Sequence, residues 1–201
     1  CSDDFSISLR NRIADDDEPL WAMLQEEDTV RFLPSVKSLT LNDIRGHRFK
    51  LADLHRDQKA FQLIVLMKSH ETGLEQVVGC TGGRDIHLDE SCGEYGIILS
   101  QRVFGLGISQ SVTHALFKFF FETIQLERIR ILTNPDNIPM KCIMETKGCG
   151  LDPSQTLIHL DNENWIEYWI HKQDWITVED NLIGNIHRKR ENNRRKNGVS
   201  V

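Results

Sequence analysis

Two different spacings of apolar residues run along the chain, and they mark out its elements. Phe5 to Asn11 alternates apolar with polar positions and predicts a first strand. Next, the acidic run Asp15-Asp16-Asp17-Glu18 precedes Leu20, Trp21, Met23 and Leu24. Acidic residues in a first turn complement the helix dipole, so a helix is predicted near 15–26. Thr40-Leu41-Asn42-Asp43 fits a capping box and opens a second helix reaching about Gln58. The compact apolar run Phe61 to Met67 reads as a buried strand. After the polar turn SHETGLE, Val77 to Thr81 and Gly93 to Leu99 predict two more strands. From Gly107 to Gln125, apolar residues fall at 108, 112, 115, 116, 119, 120 and 124, a helical period. Arg128 to Leu132 is a short strand, and Pro135-Asp136-Asn137 starts a helix that ends at Gly148. Thr156 to Leu160 and Trp165 to His171 alternate as a terminal hairpin around Asp161–Asn164. Thr177-x-x-Asp180 caps a last helix, with Val178, Leu182, Ile183 and Ile186 on one face. The order β α α β β β α β α β β α predicts one α+β domain around a mostly antiparallel sheet.

Composition adds few constraints. At 201 residues the chain can build one sizeable core, and 39% apolar with 27% charged residues is ordinary for a globular protein. No run of 18 apolar residues occurs, so no membrane span is expected, and the acidic start CSDDFSISLRN does not resemble a signal peptide. Five scattered cysteines without a C-x-x-C pair predict reduced thiols in a cytoplasmic protein, and the eight histidines suggest no metal. Charge is distributed more tellingly. Residues 187–201 carry +5, so the other 186 carry −11 out of a net −6. An acidic body suits a cationic acceptor better than a phosphate backbone. The basic segment HRKRENNRRK either contacts RNA, a ribosome or an acidic partner, or folds against the protein's own acidic surface.

One short stretch carries chemistry. In Arg102-Val103-Phe104-Gly105-Leu106-Gly107-Ile108-Ser109, two glycines join a strand to a long amphipathic helix. Without Cβ atoms the backbone can adopt unusual φ values and lets another group close to its N–H donors. The first turn of the next helix adds unpaired N–H groups and a positive dipole end, which favour a phosphate. The same fragment also reads as a turn with no ligand. It is neither a P-loop, for no Gly-Lys-Ser/Thr follows, nor a dinucleotide fingerprint, for no third glycine follows.

The stretch is similar to the R/Q-x-x-G-x-G/A signature of the GNAT acetyltransferases. Other segments resemble that family in the right order over about residues 7–175: Leu9-Arg10-Asn11, Gly93-Glu94-Tyr95-Gly96, Leu126-Glu127-Arg128-Ile129, Asn137 to Gly150, and Asn164-Trp165-Ile166-Glu167-Tyr168. The branch resembled includes ribosomal-protein N-terminal and spermidine acetyltransferases. The resemblance implies a GNAT domain over 1–175, a helical extension with a basic tail over 176–201, and a mixed sheet with a V-shaped splay between its fourth and fifth strands. It further implies acetyl-coenzyme A as cosubstrate, no metal, direct acetyl transfer to a primary amine, and homodimerisation. The acceptor is a protein N-terminus or a small polyamine-like amine. The alternative is a degenerate domain that binds acyl-coenzyme A, or a protein or RNA partner, without catalysis.

The same resemblance assigns residues. The N–H groups of Phe104 through Ile108 cradle the pyrophosphate within the segment Val103 to Ser109 (Val103, Phe104, Gly105, Leu106, Gly107, Ile108, Ser109). Ile98, Leu99 and Ser100 pair with the pantetheine amides, and Asn137 helps fix the pantetheine arm. Arg102 adds charge near the phosphates or stands as a surface arginine. Glu94 is the general base, acting through a water, or a carboxylate that orients the amine. The family's tyrosine acid has no counterpart, since Met144 takes its place and Met140 stands where the branch often has serine. Trp21, Phe32 and Tyr168 line the acceptor side.

Overall fold

The computed structural model describes residues 5–145, 148–151, 156–160 and 163–196. Seven strands form one mixed sheet in the order β1-β2-β3-β4-β5-β7-β6. They are β1 (Phe5–Asn11), β2 (Phe61–Ser69), β3 (Glu75–His87), β4 (Cys92–Leu99), β5 (Arg128–Thr133), β6 (Thr156–Leu160) and β7 (Glu163–His171). The helices are α1 (Asp17–Met23), α2 (Pro34–Lys37), α3 (Leu41–Arg56), α4 (Ile108–Lys118), α5 (Ile138–Met144) and α6 (Trp175–Lys196). Pairs β1–β2, β5–β7 and β6–β7 are antiparallel, while β4 and β5 run parallel. The parallel ladder covers Cys92–Tyr95 against Arg128–Ile131. The eight-residue β4 thus runs on past its last pair with β5.

Several boundaries differ from the pattern-based expectation. β3 extends to His87 rather than stopping at Thr81, because Gly82 is a strand residue and not a terminator. A β-carbon there would collide with the Phe61 carbonyl of β2, so the close strand approach requires glycine. The helix expected at 15–26 begins as a 3₁₀ turn, Ala14–Asp16, and ends at Met23. α4 ends at Lys118 and gives way to a π turn, Phe119–Thr123, in which Ile124 donates to the Phe119 carbonyl at 3.0 Å. α5 starts only after Asn137, which caps it, and α2 has no counterpart in the periodicity. The capping box at Thr40 and Asp43 is present, with the Asp43 carboxylate accepting from the Thr40 N–H at 2.8 Å.

By contact density the chain divides into two compact units. One comprises the segments up to Gly82, Ile97–Ile108 and from His187 onward. Its core joins Leu20, Met23, Leu24 and Val30 to Ile44, Ile64, Leu66 and Cys80, with Trp21 and Ile98 packed against them. The same unit carries an ion cluster whose carboxylates are buried. Arg10 clamps Asp16 with two bonds of 2.7 Å, and Arg12 reaches Asp17 at 2.8 Å. Arg12 also donates to the Ile44 carbonyl and the Gln62 amide oxygen, and Arg48 adds a second guanidinium to Asp17. The acidic run therefore does more than complement a dipole: two of its members carry the arginines of β1 and the residue after it.

The other unit comprises Gly83–Gly96 and Ser109–Ile186. Ile129, Ile131 and Thr133 of β5 stand beside Ile170, Tyr168 and Ile166 of β7, all buried. Val112, Leu116 and Phe117 of α4 are buried too. Tyr95 meets the edge of Phe117 at 4.9 Å and bonds the Thr113 hydroxyl at 2.8 Å. Trp175 of α6 packs against His114 and Phe121, with Val178 and Leu182 buried along the same helix.

Breaking a buried ion pair strands the surviving charge at a cost of about 3–5 kcal/mol. Asp17→Ala is expected to lower unfolding free energy by about that amount, measured in urea, whereas Arg56→Ala at the exposed Asp53 pair leaves the midpoint unchanged.

Candidate active site

The glycine turn lies wholly within the first unit. At the end of β4, Ser100 donates its N–H to the Val78 carbonyl of β3 at 2.9 Å. Backbone groups alternate sides along a strand, so Leu99 directs its N–H and C=O away from β3. A 3₁₀ turn, Gln101–Val103, follows. Gly105 and Gly107 then take φ values of +81° and +84°, the left-handed region that glycine enters at no cost. Space around Gly105 is open, so its glycine answers to conformation alone, whereas a β-carbon at Gly107 would press on Lys189. Of the N–H groups from Phe104 to Ile108, Phe104 donates to Gln101 and Leu106 to Val103. Those of Gly105, Gly107 and Ile108 have no acceptor among the described residues. Ile108 begins the 11-residue α4, so these donors sit at the positive end of its dipole. Val103 and Ile108 are buried and anchor the turn, while Phe104 and Leu106 are exposed.

One carboxylate holds this turn in place. Glu26, just after α1, accepts from the Ser100 hydroxyl at 2.7 Å and the Gln101 N–H at 3.1 Å. The Thr29 hydroxyl donates to the same carboxylate at 2.7 Å while accepting from the Gln101 N–H at 2.8 Å. Arg102 Nε lies 3.0 Å from the other Glu26 oxygen and 3.0 Å from Ser100 Oγ. Burial works to raise the Glu26 carboxyl, but the Ser100 and Thr29 hydroxyls, the Arg102 charge and the Gln101 N–H outweigh it and hold it below its ordinary 4.5.

In the second unit, Glu94 is 5% exposed on β4. Its Oε1 accepts from Arg84 Nε at 2.6 Å, and the terminal guanidinium nitrogen of Arg84 contacts the same oxygen. Oε2 has Arg130 Nη1 at 3.8 Å and no nearer partner among the described residues. Arg130 in turn donates to Glu167 at 2.7 Å. Register places Glu94, Arg130 and Trp169 side by side on one sheet face, with the Arg128 guanidinium 5.3 Å over the Trp169 ring. Tyr95, Ile131 and Tyr168 align on the opposite face. There the Tyr168 hydroxyl donates to Glu145 at 2.8 Å, and burial with that bond raises it well above the usual phenol range. On α5, Met144 is wholly buried and Asn137 Oδ1 caps the Met140 N–H at 3.2 Å. Burial pushes the Cys149 thiol up to about 12. Among the described residues no group of three or more His, Cys, Asp or Glu side chains could hold a metal ion. No described helix is long and apolar enough to cross a membrane.

Residues 7–150 match the family model described as the acetyltransferase (GNAT) domain. The chain belongs to the GNAT acetyltransferase family. It is therefore an acetyl-coenzyme A-dependent N-acetyltransferase. Its fold is shared with a spermidine N-acetyltransferase from Vibrio cholerae in complex with CoA and spermine: TM-score 0.68, 11% identity, covering 85% of this chain and 98% of that one. A GCN5-related N-acetyltransferase from Brucella melitensis superposes with TM-score 0.68 at 12% identity, covering 90% and 82%. No curated protein matches the sequence significantly.

Some of the residues that the sequence singles out stand together and others do not. Ser100 and Arg102 converge on Glu26, while Trp21 and Ile98 pack on one cluster, Trp21 donating its indole N–H to the Leu39 carbonyl. Phe32 is half-buried, with the Arg31 guanidinium 5.6 Å over its ring. Ser109 is the second residue of α4. Tyr168 and Glu94 do not share a sheet face. Glu26 and Thr29 escaped sequence reasoning, because they lie more than seventy positions before the turn they hold.

A carboxyl lowered by folding stabilises the fold above its ordinary value and loses that contribution as pH falls through the lowered value. Glu26→Gln is therefore expected to lower Tm by about 2–4 °C at pH 7, the shift for about 1 kcal/mol in a chain of this size. The gap to the parent should close as pH drops below 4.5 in a thermal-melt series.

Proposed function

We propose that this GNAT protein acetylates a small primary amine of polyamine type, by direct transfer, using the glycine turn as the coenzyme A seat and Glu94 as its proton acceptor. The observation that carries the reading is the turn itself: two left-handed glycines, three N–H donors without an acceptor among the described residues and the start of α4, pinned by Glu26. That arrangement fits a pyrophosphate, which is doubly anionic and compact. The outward N–H and C=O of Leu99 suit a pantetheine amide as a neighbouring strand would. Asn137 keeps its side-chain N–H₂ for the same arm while its oxygen caps α5. Bound acetyl-coenzyme A would supply an activated thioester: the acceptor's nitrogen–carbon bond would form as the carbon–sulfur bond breaks, coenzyme A leaving as the thiolate and taking up the second proton that the nitrogen sheds on becoming an amide.

Glu94 handles the proton. Arg84 occupies Oε1, so Oε2 is the atom placed to take a proton from the acceptor ammonium, directly or through a water. Glu167, on the same face, adds a second carboxylate to an acceptor of several positive charges. The −11 charge carried by residues 1–186 favours the same class of acceptor, and the Vibrio cholerae relative is a spermidine N-acetyltransferase seen with spermine. No tyrosine stands on α5, and Met144 has no proton to give.

Isothermal titration with acetyl-coenzyme A and thiol release across a panel of amines test the reading. Glu94→Gln is expected to cut turnover by about 10²–10⁴-fold and leave acetyl-coenzyme A affinity within about twofold, since Glu94 is not part of the seat. Turnover unchanged by the substitution removes Glu94 from the mechanism, and absent cofactor binding at millimolar ligand removes the function.

A further inference from the structure

Resting on the coenzyme A seat proposed above, we propose that Lys189 of α6, rather than Arg102 of the glycine signature, supplies the cation that meets the cofactor's phosphates. The observation is where its stem lies. A β-carbon at Gly107 would sit 3.2 Å from Lys189 Cδ, 3.7 Å from Cγ and 3.8 Å from Cε. The lysine is thus laid along the backbone of the turn, half-buried, with its ammonium one bond beyond the last of these atoms. Glycine at 107 serves twice, by its φ of +84° and by leaving room for that stem.

The two cations differ in what already meets their charge. Arg102 Nε is tied to Glu26 and Ser100, so an internal carboxylate already meets its charge. Lys189 has no ion-pair or hydrogen-bond partner among the described residues. An ammonium whose stem lies against such a turn, with no counter-ion among the described residues, adds to an anion-binding concavity. Among the described residues Lys189 has no internal partner to give up when a phosphate arrives, whereas the Arg102 charge is already partly met by Glu26 through Nε. The bland alternative is a stem packed for its apolar surface, its head in water. Substitution by methionine distinguishes the two, because it keeps the stem and removes the charge.

The test measures acetyl-coenzyme A affinity by isothermal titration of the full chain at low and at high salt, with a thermal melt for each variant. Lys189→Met is expected to weaken binding about tenfold at low salt, the loss of one charge-assisted hydrogen bond. The deficit should shrink at high salt, where the parent's charge is screened. Lys189→Arg should retain most of the affinity, and Arg102→Met should lose less than Lys189→Met. Parent-like binding by Lys189→Met overturns the proposal while leaving the seat intact. So does an equal loss at both salts accompanied by a lower Tm, which marks a packing role. A parent chain that binds no acetyl-coenzyme A overturns the seat and this proposal together.

Discussion

A single carboxylate fixes the approach to the glycine turn. Glu26 accepts from a hydroxyl and a backbone N–H at the end of β4, from Thr29 in its own loop, and faces the Arg102 guanidinium. These bonds set where β4 stops, and therefore where the two left-handed glycines begin. A turn of positive-φ residues has little to hold it by itself, since glycine is the residue with most freedom to lose. Buried Val103 and Ile108 fasten its two ends, and Glu26 fastens its approach. A carboxylate in that position also faces the charge of the signature arginine.

The second unit separates polar from apolar work by strand alternation. Along β4, β5 and β7, one face aligns Glu94, Arg130 and Trp169, and the other aligns Tyr95, Ile131 and Tyr168. A shift of one residue in register would exchange the two sets and bury the charges. Tyr95 locks the register from the apolar side through Thr113 and Phe117 of α4. The charged side is internally compensated, with Arg84, Glu94, Arg130 and Glu167 alternating in sign. Glu94 can be nearly sealed from water because the arginines beside it meet its charge.

Local signals were legible and distant ones were not. Thr40 and Asp43 cap α3 as their spacing demands, and the Gly105–Gly107 pair has the left-handed backbone that its place between strand and helix suggests. The buried strand at Phe61 was equally plain from its apolar run. Gly82 misled, because a glycine needed for strand approach looks in sequence like one that ends a strand. Asp16 and Asp17 stand at a helix start, as charge next to an apolar run suggests, but their partners Arg10, Arg12 and Arg48 are only visible after folding. In the site, Glu94 and the turn carried motifs of their own. Glu26 carried none, and its role exists only through residues brought to it from far along the chain.

The parallel ladder between β4 and β5 has a consequence for how the chain is made. Cys92 and its partner Arg128 stand 36 positions apart, with all of α4 between them. Closing such a span costs chain entropy before any ladder bond rewards it, so parallel pairing of this kind forms slowly. While a ribosome is still delivering α4, the β4 edge is a row of unpaired backbone groups. Glu94, in the middle of that row, is a charge at a strand edge, the device by which edges are kept from pairing with strangers. Until Arg130 arrives beside it, that carboxylate makes the open edge of β4 a poor template for a foreign strand.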